Sequence, residues 1–531
     1  MKKIIFLLIA VITFNSCSDS FLNLSDPSTL SPNYFPKTMS DMESLMTSCY
    51  AEVICFELYG KRVMSKHSFI VDHTADMAWT ADPYWNQQAT NQVSSDNGYV
   101  QTLWWGYYKV IQCANTVLAE SAKIDKSSFT ENELVRLSQI NGEALFWRAW
   151  GHQQLIQFWG EGFPCNGDGS KQGVPIRTQV ATTSDQMNAT RNSVDEVYAQ
   201  ILKDYKEAES LLPDHWTSQA DYSRPDKYAV KSFIGQVNLY QGEYNEAKIQ
   251  LKDVIDNSGK QLVPFAEYSK MFNESQTKFN NESILEINLK DGSSSGWGNW
   301  SGGEGSMHAF VASLCFINPD GNVEAAGWGN IYFHDANIER FGSDPRLKVT
   351  ALEPGTPVIM NGNTTVTAKY KDVEDNIKGW SIGKYVPLTY STYEKSCCVG
   401  INMFLMRLAD VYLMYAEACQ ATGDEANARE YVNRVRRRAY DGDLSYDIKS
   451  SGDQLRDDIR EERFLELCAE GVQHWVDVCR WKTLDKEISK WYKTTRSGAP
   501  HYDAKDLYYP IPKKEMEDNP NIKQSIGYEN E

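Results

Sequence analysis

The chain has few of the residues that most catalytic centres are built from. It carries eight histidines in 531 residues, with no H-E-x-x-H, and His67 and His73 near Asp72 and Asp76 make no recognised ligand spacing, so a metal site is not expected. No C-x-x-C occurs, and Cys397 and Cys398 are adjacent, which argues against a disulfide framework or a redox motif. Gly292-Ser293-Ser294-Ser295-Gly296 fits G-x-S-x-G letter by letter, but it lies in a low-complexity Gly/Ser run with no helix pattern behind it. Gly296-x-Gly298 lacks the strand-to-helix context of a phosphate loop. No catalytic residue and no cofactor is therefore expected. Positive charge is also short: 53 Lys and Arg against 71 Asp and Glu give a net charge of -18. That excludes a surface that gains affinity by displacing counterions from nucleic acid, and one built to hold anionic lipid. Apart from the N-terminus, no run approaches the ~20 apolar residues of a membrane span.

The N-terminus is the exception. Lys2-Lys3, the apolar run Ile4 to Ile12, and Asn15-Ser16 before Cys17 form a secretory signal too short to span a bilayer. Residues 1–16 are read as the signal peptide and Cys17 as the site of lipid attachment.

The body is rich in helix-forming pattern and in aromatic residues. Asp226 to Asn257 carries Gly235, Ala247, Leu251 and Val254, and Met403 to Arg436 carries Ala416, Ala428, Val432 and Val435, both with offsets of twelve, four and three. That is tetratricopeptide spacing, in which small residues let two antiparallel helices approach. Gly242 and Gly423 fall at the turns. A third, split hairpin is expected from Glu143 to Trp159 with Ile201, Tyr205, Ala208 and Pro213. Leu455 to Trp481 reads as an amphipathic helix interrupted near Gly471, with Phe464, Cys468, Val472, Trp475 and Cys479 on one stripe. Its charges, Arg463, Glu466, Glu470, Asp477 and Arg480, are spaced to pair along the helix surface. Residues 260 to 400 look irregular, with Ser283 to Lys290 alternating as a half-buried strand. Cys419, Cys468 and Cys479 fall within helical pattern and are expected to be buried apolar fillers.

Fifteen Trp and 29 Tyr exceed what a helical core needs. Trp79 and Trp85 lie in DMAWTADPYWNQQ, Trp297 and Trp300 in GWGNWSGG, and Trp328 in AAGWGN. An aromatic face beside small and polar neighbours suits a sugar ring, whose C–H face stacks while its hydroxyls find polar partners. These five tryptophans are the candidate ligand-binding residues.

Several blocks resemble one known family. Glu462-Arg463, Glu466-Leu467, Glu470-Gly471, Asp477 and Arg480-Trp481 follow ER-x-x-EL-x-x-EG and D-x-x-RW. Tyr509-Pro510-Ile511-Pro512, Glu515, Asn519-Pro520-Asn521-Ile522 and Gln524 to Gly527-Tyr528 follow YPIP-x-x-E and NPNL-x-Q-x-PGY. Trp104 to Asn115, Arg148 to Pro164 and Met406 to Ala418 match further helices; Trp104, Tyr107, Tyr108 and Asn115 are read there as core residues. Together these resemble the SusD/RagB nutrient-binding outer-membrane lipoproteins. Gln473-His474 stands where the family usually has an arginine, and Ile526 where proline is common. The resemblance implies a mainly α fold of tetratricopeptide-like hairpins with an irregular, strand-containing insertion. It divides the chain into a tether over 17–40 and one SusD-like domain over 41–531, with helical repeats at about 41–258 and 402–490, an insertion at about 259–401 and a C-terminal docking segment at about 505–531. It further implies a glycan-binding protein, no enzyme, lipid-anchored at the outer membrane and paired with a SusC-like TonB-dependent transporter. A peptide ligand of the RagB type and a surface glycoside hydrolase are the alternatives, and the missing catalytic motif counts against the second.

Overall fold

The computed structural model describes residues 35–55, 91–161, 169–273, 277–289, 331–360, 378–385, 400–471, 473–491 and 502–530, with positions 58, 73–75, 84, 87–88, 315–317, 320, 323–325 and 364–369 between them. Among the described residues nine longer helices run in chain order: α1 Met39–Val53, α2 Gly98–Lys123, α3 Glu131–Trp159, α4 Val194–Leu211, α5 Lys227–Gln241, α6 Tyr244–Asn257, α7 Leu408–Ala421, α8 Glu425–Ala439 and α9 Gly452–Leu467. Their starts are written locally. Thr38 with Asp41, Thr130 with Glu133 and Ser193 with Glu196 form reciprocal capping boxes that satisfy the first free N–H groups of α1, α3 and α4. Each helix packs on the next, so α1 to α9 form one continuous row.

The two hairpins expected from the repeated offsets are α5 with α6 and α7 with α8. Gly242 and Gly423 end the first helix of each at φ 79° and 78°, the left-handed conformation that L side chains resist. Ala247, Leu251, Val254, Ala428, Val432 and Val435 are all fully buried. A Cβ placed on Gly235 would lie 2.6 Å from Leu251 Cγ, so the small residue is what sets the distance between α5 and α6. The split hairpin is also present, with Ile201, Tyr205 and Ala208 buried against α3, which starts at Glu131 rather than Glu143.

The stretch from Leu455 is interrupted near Gly471 as expected, but its apolar stripe is not continuous. The helix stops at Leu467 and restarts as α10, Gln473–Arg480, because Ala469 and Gly471 take positive φ values of 65° and 121°. Cys468 therefore lies past the helix end, and the single stripe is divided. Phe464 and Cys468 join a small second core with Tyr99, Phe333, Ile338 and Phe341, while Trp475 and Cys479 belong to the main core that runs from Met42 to Ile522. The half-buried strand is corrected as well. Ser283–Ile287 pairs antiparallel with Met403–Arg407 and is buried on both faces. Glu286, expected on the wet side, accepts from the Phe279 N–H and from Asn402 Nδ2 at 2.8 Å.

The motif charges Arg463, Glu466, Glu470, Asp477 and Arg480 are neither solvated nor mainly paired along one helix. Asp477 and Arg480 do pair at 2.7 Å, but Glu466 and Glu470 reach across the fold. Glu466 is fully buried and accepts from Arg407 of the strand at 2.6 Å, from Arg346 of the insertion at 2.9 Å, and from Arg438 of α8. Glu470 accepts from Arg407 at 2.7 Å and Lys384 at 2.6 Å. Arg463 pairs with Asp410 of α7 at 2.8 Å, and Arg480 with Glu417 of α7 at 2.6 Å. Burial by itself would raise the pKa of Glu466, but the guanidiniums of Arg438, Arg407 and Arg346 outweigh it and hold the carboxylate well below its usual range. A carboxylate so enclosed is a structural tie.

The chain ends against α3. Tyr509 donates its N–H to Phe158 O at 2.6 Å and stacks its ring on Phe158, and Trp159 Nε1 donates to Pro510 O at 2.9 Å. Cys49, Cys55, Cys419, Cys468 and Cys479 are buried, as expected of apolar fillers.

Two outcomes follow from these contacts. Gly235→Val should destabilise the protein by about 1–3 kcal/mol through overpacking, and Leu251→Ala in the same chain should recover part of that loss; a double-mutant cycle on urea midpoints measures the coupling, and strict additivity would refute the contact. Glu417, whose pKa burial would raise but which Arg480 holds down at about 2 against an ordinary 4.5, adds stability above the unfolded value that disappears as pH falls through the folded one. Glu417→Gln should therefore cost on the order of 3 kcal/mol at neutral pH and flatten the acid limb of the stability profile.

Candidate functional site

None of the five candidate tryptophans, Trp79, Trp85, Trp297, Trp300 and Trp328, lies among the described residues, and neither does Cys17. What is described is the ladder next in sequence to Trp79 and Trp328. His73–Ala75 pairs antiparallel with Ile331–Phe333, with Ala75 opposite Ile331 and His73 opposite Phe333. Phe333 also donates its N–H to Trp380 O at 2.8 Å, and Ser381–Ile382 pairs with Ala351–Leu352. Segments far apart in sequence thus meet over the second core, against which Tyr84, Leu347 and Trp380 pack.

A cavity of about 700 Å³ opens beside this ladder, lined by Trp380, Lys378, Glu339, Glu353, Ile338 and Leu347 among others. The short helix Asp335–Phe341 supplies one wall. Its first residue is fixed because the Asp335 carboxylate accepts the Lys378 N–H at 3.0 Å; burial raises the pKa of that carboxyl, and the bond to Lys378 opposes the rise. Lys378 Nζ reaches Glu339 at 2.9 Å, and both side chains are substantially exposed. Below the cavity Arg340 lies 3.6 Å from the Phe464 ring centroid and bonds Glu461 at 2.7 Å, clamping the wall to α9. A half-buried indole beside exposed carboxylates and an ammonium can bind a polyhydroxylated ring: the ring face stacks and the hydroxyls find donors and acceptors. Asp335 is spent on a backbone bond and is not available as an acid or base.

Trp380 was not among the residues that sequence reasoning chose. The signal was present, since Lys378-Gly379-Trp380-Ser381 has the same small and polar neighbours as the tryptophans that were chosen.

A second groove, of about 780 Å³, runs between α2 and the C-terminal segment. Trp104, Tyr107 and Asn115 are buried as expected, but Tyr108 is half-buried and Trp105, 41% exposed, stands on the rim with Met187. The polar groups here are already engaged: Trp104 Nε1 donates to Glu515 at 3.2 Å, Tyr108 to Pro175 O at 2.9 Å, and Arg177 to the carbonyls of Gln186 and Met187. With those groups spent, its open wall is mainly apolar. Among the described residues no group of three or more His, Cys, Asp and Glu could hold a metal ion, and no helix is long and apolar enough to cross a membrane.

Comparison with known proteins agrees with this architecture. Residues 20–239 match the family described as starch-binding and associating with the outer membrane, and residues 269–528 match the SusD family. SusD-like protein P2 of Formosa agariphila is 25% identical over 98% of this chain and 99% of its own. A SusD-like protein of Bacteroides ovatus is 23% identical, covering 90% of this chain and 82% of its own. Among solved structures, a laminarin-binding SusD-like protein superposes with a TM-score of 0.74 at 22% identity, over 93% of this chain and 100% of that one. Surface glycan-binding protein A of Bacteroides thetaiotaomicron, solved with laminarihexaose, gives 0.71 at 20% identity over 91% and 98%. The row of helical hairpins, the strand-bearing insertion and matches that together run from residue 20 to 528 make one conclusion: the chain belongs to the SusD/RagB family of outer-membrane-associated binding proteins.

Proposed function

We propose that this chain captures a glycan at the cell surface on an aromatic platform and delivers it to a SusC-like TonB-dependent transporter, held to the outer membrane by acylation of Cys17. The platform draws on Trp79, Trp85, Trp297, Trp300 and Trp328, with Trp380 added at its described edge. One observation supports this choice above others. Because Ala75 lies opposite Ile331, the segments leading to Trp79 and from Trp328 start at the same end of one ladder, and Phe333 of that ladder is bonded to Trp380. Loops carried on a rigid frame are where binding residues collect.

The names of two relatives of the same fold, one binding laminarin and one solved with laminarihexaose, make a β-glucan oligosaccharide the first ligand to test. Stacking one ring is worth on the order of 1–3 kcal/mol, taking the magnitude known for bases. Single alanine variants of Trp380 and of the five tryptophans should weaken binding about tenfold or more, with the thermal midpoint nearly unchanged. Titration against a panel of polysaccharides and peptides checks both the ligand class and the residues. Normal glycan binding by all six variants, or binding of peptides alone, would overturn the reading.

The anchor makes a separate outcome. Replacing Cys17 by Ala should shift the protein from the detergent to the aqueous phase on phase separation, since a bacterial lipoprotein depends on several acyl chains for stable attachment. Retention in the detergent phase would place the anchor elsewhere.

A further inference from the structure

On the helical side of the molecule, a cavity of about 320 Å³ lies where the loop after α4, the start of α5, the turn after α6 and the turn before Ser283–Ile287 converge. It shares no lining residue with the cavity beside Trp380. Trp216, Tyr222 and Phe279 contribute its aromatic surface, and His215, Asp226 and Lys260 its charge.

Phe279 is held in an unusual way. Its φ is 55°, a left-handed conformation costly for a bulky residue. The strain is stabilised by the buried Glu286, whose two carboxylate oxygens accept the Phe279 N–H at 3.0 and 3.1 Å. The ring so placed meets Tyr222 edge-on at 6.0 Å, and Tyr222 itself is 40% exposed. Trp216 is fixed by its Nε1 bond to Pro225 O at 3.1 Å.

The charges are unequally satisfied. Arg224 is fully engaged, with Glu143 at 2.7 Å, Asp221 at 2.8 Å and Glu43 at 3.3 Å. Asp226 accepts from the Ala229 N–H at 2.8 Å with one oxygen and contacts His215 Nδ1 at 3.2 Å with the other. Glu286 is taken up by Phe279 and Asn402. Lys260, half-buried, uses its backbone N–H on Ser258 Oγ at 3.3 Å, but among the described residues its ammonium makes no hydrogen bond and no ion pair. Burial pushes that ammonium below the usual lysine range, and the charges of Asp226 and Glu286 offset this only through space. A partly desolvated ammonium with no acceptor among the described residues can receive one from a ligand.

We propose that this cavity is a second glycan subsite that takes a hexuronate unit, its carboxylate on Lys260 and its ring facing Tyr222 and Phe279. The aromatic surface favours a sugar ring over a free inorganic anion, and the unpaired ammonium favours an acidic sugar over a neutral one. This subsite is separate from the platform near Trp380 and stands whether or not that platform binds.

The test is calorimetric titration of the full chain with trigalacturonate and with its methyl ester, which has the same shape without the charge. The acid should bind saturably and the ester about tenfold more weakly or less. Lys260→Gln should weaken the acid about tenfold or more, and Lys260→Arg should restore part of that affinity. If Lys260→Gln unfolds, the wild-type chain still decides the matter: trigalacturonate should protect Lys260 from reductive methylation in a saturable way. Laminarihexaose at saturation should not displace the acid. Equal binding of acid and ester, undiminished binding by folded Lys260→Gln, displacement by laminarihexaose, or no saturable binding or protection at millimolar concentration would each overturn the proposal.

Discussion

Glu466 and the three guanidiniums around it hold the two halves of this molecule together. Arg407 comes from the strand that leads into α7, Arg438 from α8 and Arg346 from the insertion, so one buried carboxylate ties the helical row to the irregular segment. Neighbouring links extend the tie: Arg346 also binds Asp344 and Glu462, each at 2.7 Å, and Arg407 binds Glu282 at 2.7 Å. Such a network contributes little net energy over an apolar core of the same volume, because desolvating each charge is costly. Its effect is geometric, since each partner lost leaves a buried charge without compensation and only one arrangement satisfies them all.

That constraint explains where a binding surface can sit. α9 is shared between the two cores: Leu455 and Ile459 face the main one, Phe464 and Leu465 the second. The frame beside Trp380 rests on the second core and is further pinned by Arg340 over Phe464. The helical side offers a different kind of surface, where turns after α4 and α6 meet and where Phe279 is held against its conformational preference by a buried glutamate.

Much of the helical row was legible from residue spacing. Gly235 with Ala247, Leu251 and Val254, and the turn glycines Gly242 and Gly423, encode their contacts within some thirty residues, a range over which helix geometry alone fixes who meets whom. Capping pairs such as Thr130 with Glu133 are equally local. The five candidate tryptophans stand out by their small and polar neighbours, a pattern that Trp380 also carries.

By itself the sequence determined the helical hairpins and the family, because periodicity, capping and motif spacing are properties of short segments. Tertiary structure alone decided that Glu462, Arg463 and Glu466 of α9 turn inward, that Glu286 is buried on a strand that alternates like a half-exposed one, and that Arg346 is fully enclosed. It also decided that the ammonium of Lys260 has no ion-pair partner among the described residues. Whether a charge is solvated or buried depends on what long-range packing brings against it, and no spacing along the chain encodes which distant arginine arrives.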